Sequence, residues 1–241
     1  GITASTFENP LPQQYHPIAA TGYRVNGNEV EGKWPIYPEM AAAGLWITPS
    51  QLILWAKEIQ QIYQPQQNGL LKVNTVNEML TPGMNDHGLG PALTEHTFGH
   101  GGADEGFRAD LVAWKEHPVA VVIMVNSDNG RIIQEIKLSI AKEYGLPGME
   151  PVKRVVQEQS AQELQRFTGK YTIPDLGDIE IKVKDNGLEH LAAFVDEPLF
   201  LLPASDSTFF NKNDGEYVNF LRNGDSIKGF KIYGFEASKM E

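Results

Sequence analysis

The chain has 241 residues, 41% hydrophobic and 21% charged, the balance of an ordinary folded protein and enough for one large domain or two modest ones. Lys and Arg number 20 against 31 Asp and Glu, and the formal charge of -11 repels polyanions and sets nucleic acid aside as a partner. With no cysteine, disulfides, thiolate metal sites and a cysteine nucleophile are excluded, while the compartment stays open.

Residues 1 to about 35 carry Pro10, Pro12, Pro17 and Pro35 among several glycines and show no sustained apolar period, so irregular chain is expected there. Gly1-Ile2-Thr3-Ala4 does not begin like a signal peptide, and any export signal is expected to precede it. Thr48-Pro49-Ser50-Gln51 then opens a helix: Thr48 can cap, Pro49 suits the first position, and Gln51 can reach back in a capping box. Leu52, Trp55, Ala56, Ile59 and Ile62 follow at helical spacing, which predicts a helix from about Pro49 to Tyr63.

A shorter helix is expected over Asn74 to Leu80, ended by Pro82-Gly83. Three extended runs follow, at Thr97–Gly102, Phe107–Trp114 and Val119–Asn126, the last two joined through Lys115-Glu116-His117-Pro118. The apolar run Val119–Val125 is far too short to span a bilayer. Ile133, Ile136, Ile140 and Tyr144 mark one face of a further helix that stops at Gly145 and Pro147, with Ser127-Asp128-Asn129 as its capping residues.

Residues 151–162 have no firm period and suit a linker. Beyond them come short β-rich runs at Tyr171–Ile173, Ile179–Val183, Leu188–Phe194, Leu199–Leu202, Thr208–Phe210, Tyr217–Leu221 and Ile227–Phe235. Turn signals at Asp185-Asn186-Gly187, Asn213-Asp214-Gly215 and Asn223-Gly224-Asp225 separate them, and the rhythm predicts a small antiparallel barrel over 163–241. Its inner face is expected to hold Ile179, Ile181, Phe200 and Phe230 and to leave little room for a ligand.

The segment most charged with chemical meaning is Phe98-Gly99-His100-Gly101-Gly102-Ala103-Asp104-Glu105-Gly106-Phe107. It resembles the third signature of the penicillin-recognising serine hydrolases, the superfamily of class C β-lactamases, DD-peptidases and related esterases. Ser5-Thr6-Phe7-Glu8, the run from Pro38 to Pro49, Met79-Leu80-Thr81-Pro82-Gly83 and Gly88-Leu89-Gly90 are similar to other segments of that family and arrive in its order. The resemblance covers residues 1 to about 147. Residues 163–241, on the Gly169-Lys170-Tyr171 start and the strand rhythm, resemble the lipocalin-like domain that some members append.

The resemblance implies an α+β architecture: residues 1–150 as the C-terminal half of a β-lactamase-like domain of antiparallel strands packed with helices, then linker and barrel. It implies acyl transfer on an amide, ester or peptide, without cofactor or metal, and favours a periplasmic or extracellular setting. In that family a serine is activated by a lysine one helical turn later, and a tyrosine relays the proton. The oxyanion is held by two backbone N–H groups, one of which maps to Ala103. His100 takes the lysine position of the Lys-Thr-Gly variant, and Gly101 and Gly102 let an acyl group approach the strand.

The Ser-x-x-Lys and Tyr-x-Asn elements have no usable counterpart. Ser139-Ile140-Ala141-Lys142 lies late in a helix that follows the strands, and Tyr217-Val218-Asn219 falls in a barrel strand. The chain by itself is therefore expected to be inactive and to contact a missing N-terminal half or a second copy. A non-catalytic binding or regulatory protein on the same scaffold is the alternative reading. His96 and His100 are four apart on a strand, too far separated for a metal pair, and Asp104 and Glu105 are expected to bond the neighbouring loop or pair with Arg108.

Overall fold

A computed structural model describes residues 1–61, 70–195 and 198–240. The chain divides into two compact units, Gly1–Pro151 and Val152–Glu241. The first contains β1 (Ser5–Thr6), α1 (Met40–Ala43), β2 (Trp46–Ile47), α2 (Pro49–Gln60), α3 (Val73–Met79), β3 (Ala92–Leu93), β4 (Thr97–Asp104), β5 (Phe107–Trp114), β6 (Ala120–Val125) and α4 (Arg131–Tyr144). Strands β3-β4-β5-β6 form one antiparallel sheet, and β1 pairs with β2. Ile62 and Tyr63, expected to end the helix of α2, lie outside the described residues.

The sheet is covered on both faces because residues 111–114 of β5 are apolar without a break and successive side chains point to opposite faces. Leu111 and Ala113 join Phe98 against Ala56 and Ile59 of α2, while Val112 and Trp114 pack with Ala141 of α4 and Leu146. Gln60, buried at the end of α2, reaches the carbonyls of Trp114, His117 and Val119 at 2.9, 3.1 and 2.8 Å and so pins the loop between β5 and β6. Lys137 of α4 pairs with Asp110 of β5 at 2.6 Å on the opposite face. Gly145, at φ 62°, ends α4 in the left-handed conformation that glycine adopts freely. Tyr144, counted in sequence on the apolar face of α4, is 69% exposed.

Two capping expectations are corrected. Thr48 and Pro49 do occupy the first positions of α2, but no side chain caps the helix. Gln51 turns away to accept the N–H groups of Thr3 and Ala4 at 3.0 and 2.8 Å, fastening the N-terminal segment instead. At α4 the cap position is Gly130, which has no side chain to cap with; Ser127 accepts the Asn129 N–H in the preceding turn, and Asn129 accepts the N–H of Arg131, the first residue of α4.

The second unit begins with α5 (Ala161–Gln165), held by a capping box between Ser160 and Glu163. Eight antiparallel strands follow: β7 (Gly169–Ile173), β8 (Gly177–Lys184), β9 (Gly187–Ala192), β10 (Leu199–Pro203), β11 (Thr208–Asn211), β12 (Tyr217–Asn223), β13 (Ser226–Ile232) and β14 (Phe235–Lys239). They close into a barrel in the order β10-β11-β12-β13-β14-β7-β8-β9. The α+β class with a small antiparallel barrel, expected from the strand rhythm, is what the chain forms.

Side chains fill the barrel. Phe167 meets Phe209 and Phe220 with ring centroids 4.9 and 4.7 Å apart, Tyr171 meets Phe230 at 5.0 Å, and each fully buried Phe contributes about 1.5–3 kcal/mol. The Tyr171 hydroxyl donates to the Phe167 carbonyl at 2.6 Å, and burial pushes its pKa up. Ile179, Ile181 and Phe230 lie inside as expected. Phe200 does not: alternation along β10 turns Leu199 and Leu201 inward, and Phe200 lies outside beside Lys212.

The run Ile227–Phe235 is not one strand but two. Tyr233 and Gly234, at φ 49° and 81°, make the tight turn between β13 and β14. The Tyr233 hydroxyl donates to Asp214 at 2.5 Å and accepts from Asn211 at 2.7 Å, which holds this non-glycine residue in the left-handed region; burial, first, and the bond to Asp214 raise its pKa to about 12.

Candidate active-site wall

The segment from His100 to Ala103 lies on β4 in the stretch where that strand has only one neighbour. Strand β3 reaches no further than the pairs Ala92↔Gly99 and Leu93↔Phe98, whereas β5 runs beside β4 from Thr97↔Trp114 to Asp104↔Phe107 without a register shift. In such a ladder the N–H and C=O of successive residues point alternately to the two sides. The Lys115 N–H donates to the His96 carbonyl at 2.9 Å on the β5 side, and the Thr94 N–H donates to the Thr97 carbonyl at 2.9 Å on the β3 side. Even-numbered residues of β4 therefore bond β5. Gly101 and Ala103 turn their N–H and C=O groups to the open edge, where no described strand pairs with them.

The glycines of β4 have different reasons to be glycine. A Cβ on Gly99 would sit 2.1 Å from the Leu111 carbonyl oxygen, so the fold itself forbids a side chain. A Cβ on Gly101 or Gly102 would meet nothing closer than 3.9 or 3.6 Å, and neither residue has positive φ. Among the described residues no packing asks for glycine at either place. His100 stands opposite Leu111, on the face that carries Phe98 and α2, and is exposed, as are Gly101, Gly102 and Ala103. Gly102 stands opposite Ala109 on the same face, giving a smooth floor beside the imidazole.

The hairpin that ends this strand is tied down by a carboxylate whose place in Ser127-Asp128-Asn129 suggests only helix capping. Asp128, just beyond β6, accepts the Gly106 N–H at 2.8 Å and pairs with Arg108 at 3.1 Å and Arg24 at 3.5 Å. Its own N–H donates to the Tyr23 carbonyl at 2.8 Å. Arg108 also donates to the carbonyls of Asp104 and Phe107 at 2.6 and 2.7 Å. Glu105 pairs with Arg24, and its N–H donates to the Tyr37 hydroxyl at 3.1 Å. Gly106, at φ 80°, lets Val30 and Gly22 pack onto the turn, where a Cβ would meet them at 2.5 and 2.8 Å. Arg108 thus contacts Asp104 through its carbonyl, and its ion pair is with Asp128.

Burial raises the pKa of Asp104, opposed by Arg108, and burial also raises that of Tyr37, with the charges of Asp104 and Asp128 adding to it. Beyond the turn, Phe107, Trp46, Trp34 and His16 meet edge to face in succession, with centroids 5.9, 5.5 and 5.2 Å apart. Trp34 is therefore part of a half-buried aromatic row, while Trp114 is fully buried and donates to the Pro147 carbonyl at 2.9 Å. Ser139 and Lys142 are exposed on α4, and Tyr217 and Asn219 are exposed on β12. Among the described residues no three His, Asp or Glu side chains gather as a metal site, and no helix is long and apolar enough to cross a membrane.

No protein-family model matches this sequence, and no curated protein matches it. Solved structures do. The crystal structure of SurE is 19% identical with a TM-score of 0.50, over 92% of this chain and 56% of that one. The fold is shared with SurE. SurE with D-Leu is 20% identical, with a TM-score of 0.48 over 97% of this chain and 58% of that chain. The octameric penicillin-binding protein homologue from Pyrococcus abyssi is 16% identical, with a TM-score of 0.47 over 99% and 57%. The chain spans a little over half the length of these structures.

Proposed function

We propose that the first unit is the C-terminal part of a serine hydrolase of the β-lactamase and penicillin-binding class, acting by acyl transfer on an amide, ester or peptide, with the barrel as an appended lipocalin-like domain. The observation that carries this reading is the open edge of β4, where the Ala103 N–H faces outward beside glycines that no internal packing requires. A reacting carbonyl laid along that edge meets a fixed donor, and a donor held in place before the reaction costs no reorganisation as negative charge develops. The Asp128 brace holds the hairpin that ends the donor strand. His100, exposed on the adjoining face, would hydrogen-bond a proton-relay group or a substrate carboxylate. The nucleophile and its lysine lie outside this chain, which supplies one wall.

Incubation of the 241-residue chain with a chromogenic cephalosporin, short p-nitrophenyl esters and a fluorescent penicillin should give no turnover and no adduct by intact mass. A stable acyl adduct on any serine, Ser139 included, would overturn the assignment of the nucleophile to another segment.

A further inference from the structure

The core of the barrel is mostly apolar, and among the described residues it buries one titratable base. His190 of β9 is only 2% exposed, and its Nδ1 makes no well-formed hydrogen bond. Leu188 and His190 are buried on β9, so the imidazole belongs to the inward-facing set. Across the ladder it stands opposite Ile181 of β8 and Leu199 of β10, and its ring meets Phe230 of β13 edge to face at 6.0 Å.

The groups that could compensate a charge there point elsewhere. On β8, Glu180 and Lys182 pair with each other outside the barrel, and Lys184 pairs with Glu189 of β9. Strand β10 carries no titratable residue. On β13, Lys228 and Lys231 are exposed, and Lys231 pairs with Glu236 of β14. Tyr171 of β7 has its hydroxyl engaged by Phe167, with Lys239 of β14 over its ring at 5.6 Å. Glu163 of α5 is tied to Ser160. Among the described residues no carboxylate faces the imidazole.

We propose that His190 makes the C-terminal unit an acid-sensitive module, because the closed barrel accommodates the neutral ring and not the imidazolium, so that acidification loosens β9 and the strands beside it. An imidazolium here would be a buried charge with no counter-ion, and relief comes only by letting water reach it. Burial depresses the pKa of His190 below its ordinary 6.5, more than a contact with its own backbone raises it. The sign follows: the unfolded chain takes up the proton first, so stability is full above about pH 6.5 and falls as the pH drops toward the folded-state value. A leucine at this place would pack without that dependence, so the histidine is what confers it.

Hydrogen exchange of the complete 241-residue chain, read by peptide mass at pH 7.5 and 5.5 and corrected for intrinsic exchange, tests this. All four tryptophans, Trp34, Trp46, Trp55 and Trp114, lie outside the barrel, so peptide resolution is needed. Peptides of β8, β9 and β10 should lose protection about tenfold at pH 5.5, the linkage expected one unit below the unfolded pKa. His190→Leu should keep its protection at both values. Equal protection of the wild type at both values, or the same loss in His190→Leu, would overturn the proposal. Should that variant fail to fold, the wild-type imidazole followed by NMR decides: a midpoint well below 6.5 supports the proposal, and one at or above 6.5 refutes it.

Discussion

Joined to the Ser-x-x-Lys-bearing half that the proposed function requires, the chain with His100→Ala should have its kcat/KM lowered by the equivalent of about 2–4 kcal/mol, the scale of a lost transition-state hydrogen bond. Gly102→Val should be as damaging, since the branched side chain would stand on the floor over which the acyl group reaches the Ala103 N–H. Neither change should move the melting temperature of the 241-residue chain much, because His100 is exposed and a Cβ on Gly102 meets nothing nearer than 3.6 Å. Gly99→Ala should behave in the opposite sense. Its Cβ would lie 2.1 Å from a backbone oxygen, so it should destabilise the sheet. Steady-state kinetics on an ester, with thermal melting as the control, separates the two glycines.

The second large effect is expected at Asp128, and it is one of stability. Its side chain is only 13% exposed and serves Gly106, Arg108 and Arg24 together. Arg108 keeps 31% of its side-chain surface in water, so the ion pair alone is worth little. The greater cost of Asp128→Ala is the buried Gly106 N–H left without an acceptor, about 2–3 kcal/mol. For a unit of this size that is a drop of about 4–12 °C in Tm. Asp128→Asn, which keeps an acceptor for the Gly106 N–H, should lose less. Equal Tm values for wild type and Asp128→Ala in calorimetry would show that the hairpin does not depend on this brace.

Local signals located most of the elements. Phe107 to Trp114 is a strand with the bounds its extended run marks, and Gly145 ends α4 because only a left-handed residue fits there. Elsewhere a tertiary partner overrides the local one. Gln51 forgoes its own helix for the N–H groups of Thr3 and Ala4, and Tyr233 occupies a turn position usually given to Asn or Asp because Asn211 and Asp214 hold its hydroxyl. The role of Asp128 depends on Arg24 and Arg108 meeting it from distant parts of the chain. Its Ser-Asp-Asn context pointed to capping instead. Along β4 the sequence places three glycines, Gly99, Gly101 and Gly102, around His100; only the pairing with β5 separates the one that packing demands from the two it leaves free.

The most direct test is to remove the outward N–H itself. Proline is tolerated on an edge strand where its missing N–H would face away from the ladder. Ala103→Pro should therefore leave the 241-residue chain folded, while Gly102→Pro, which deletes a bond to β5, should destabilise it. Joined to the half that the proposed function requires, Ala103→Pro should retain its melting temperature and lose about 100- to 1000-fold in kcat/KM on a p-nitrophenyl ester, the loss typical of one oxyanion donor. Wild-type kinetics in a folded Ala103→Pro enzyme would contradict the account.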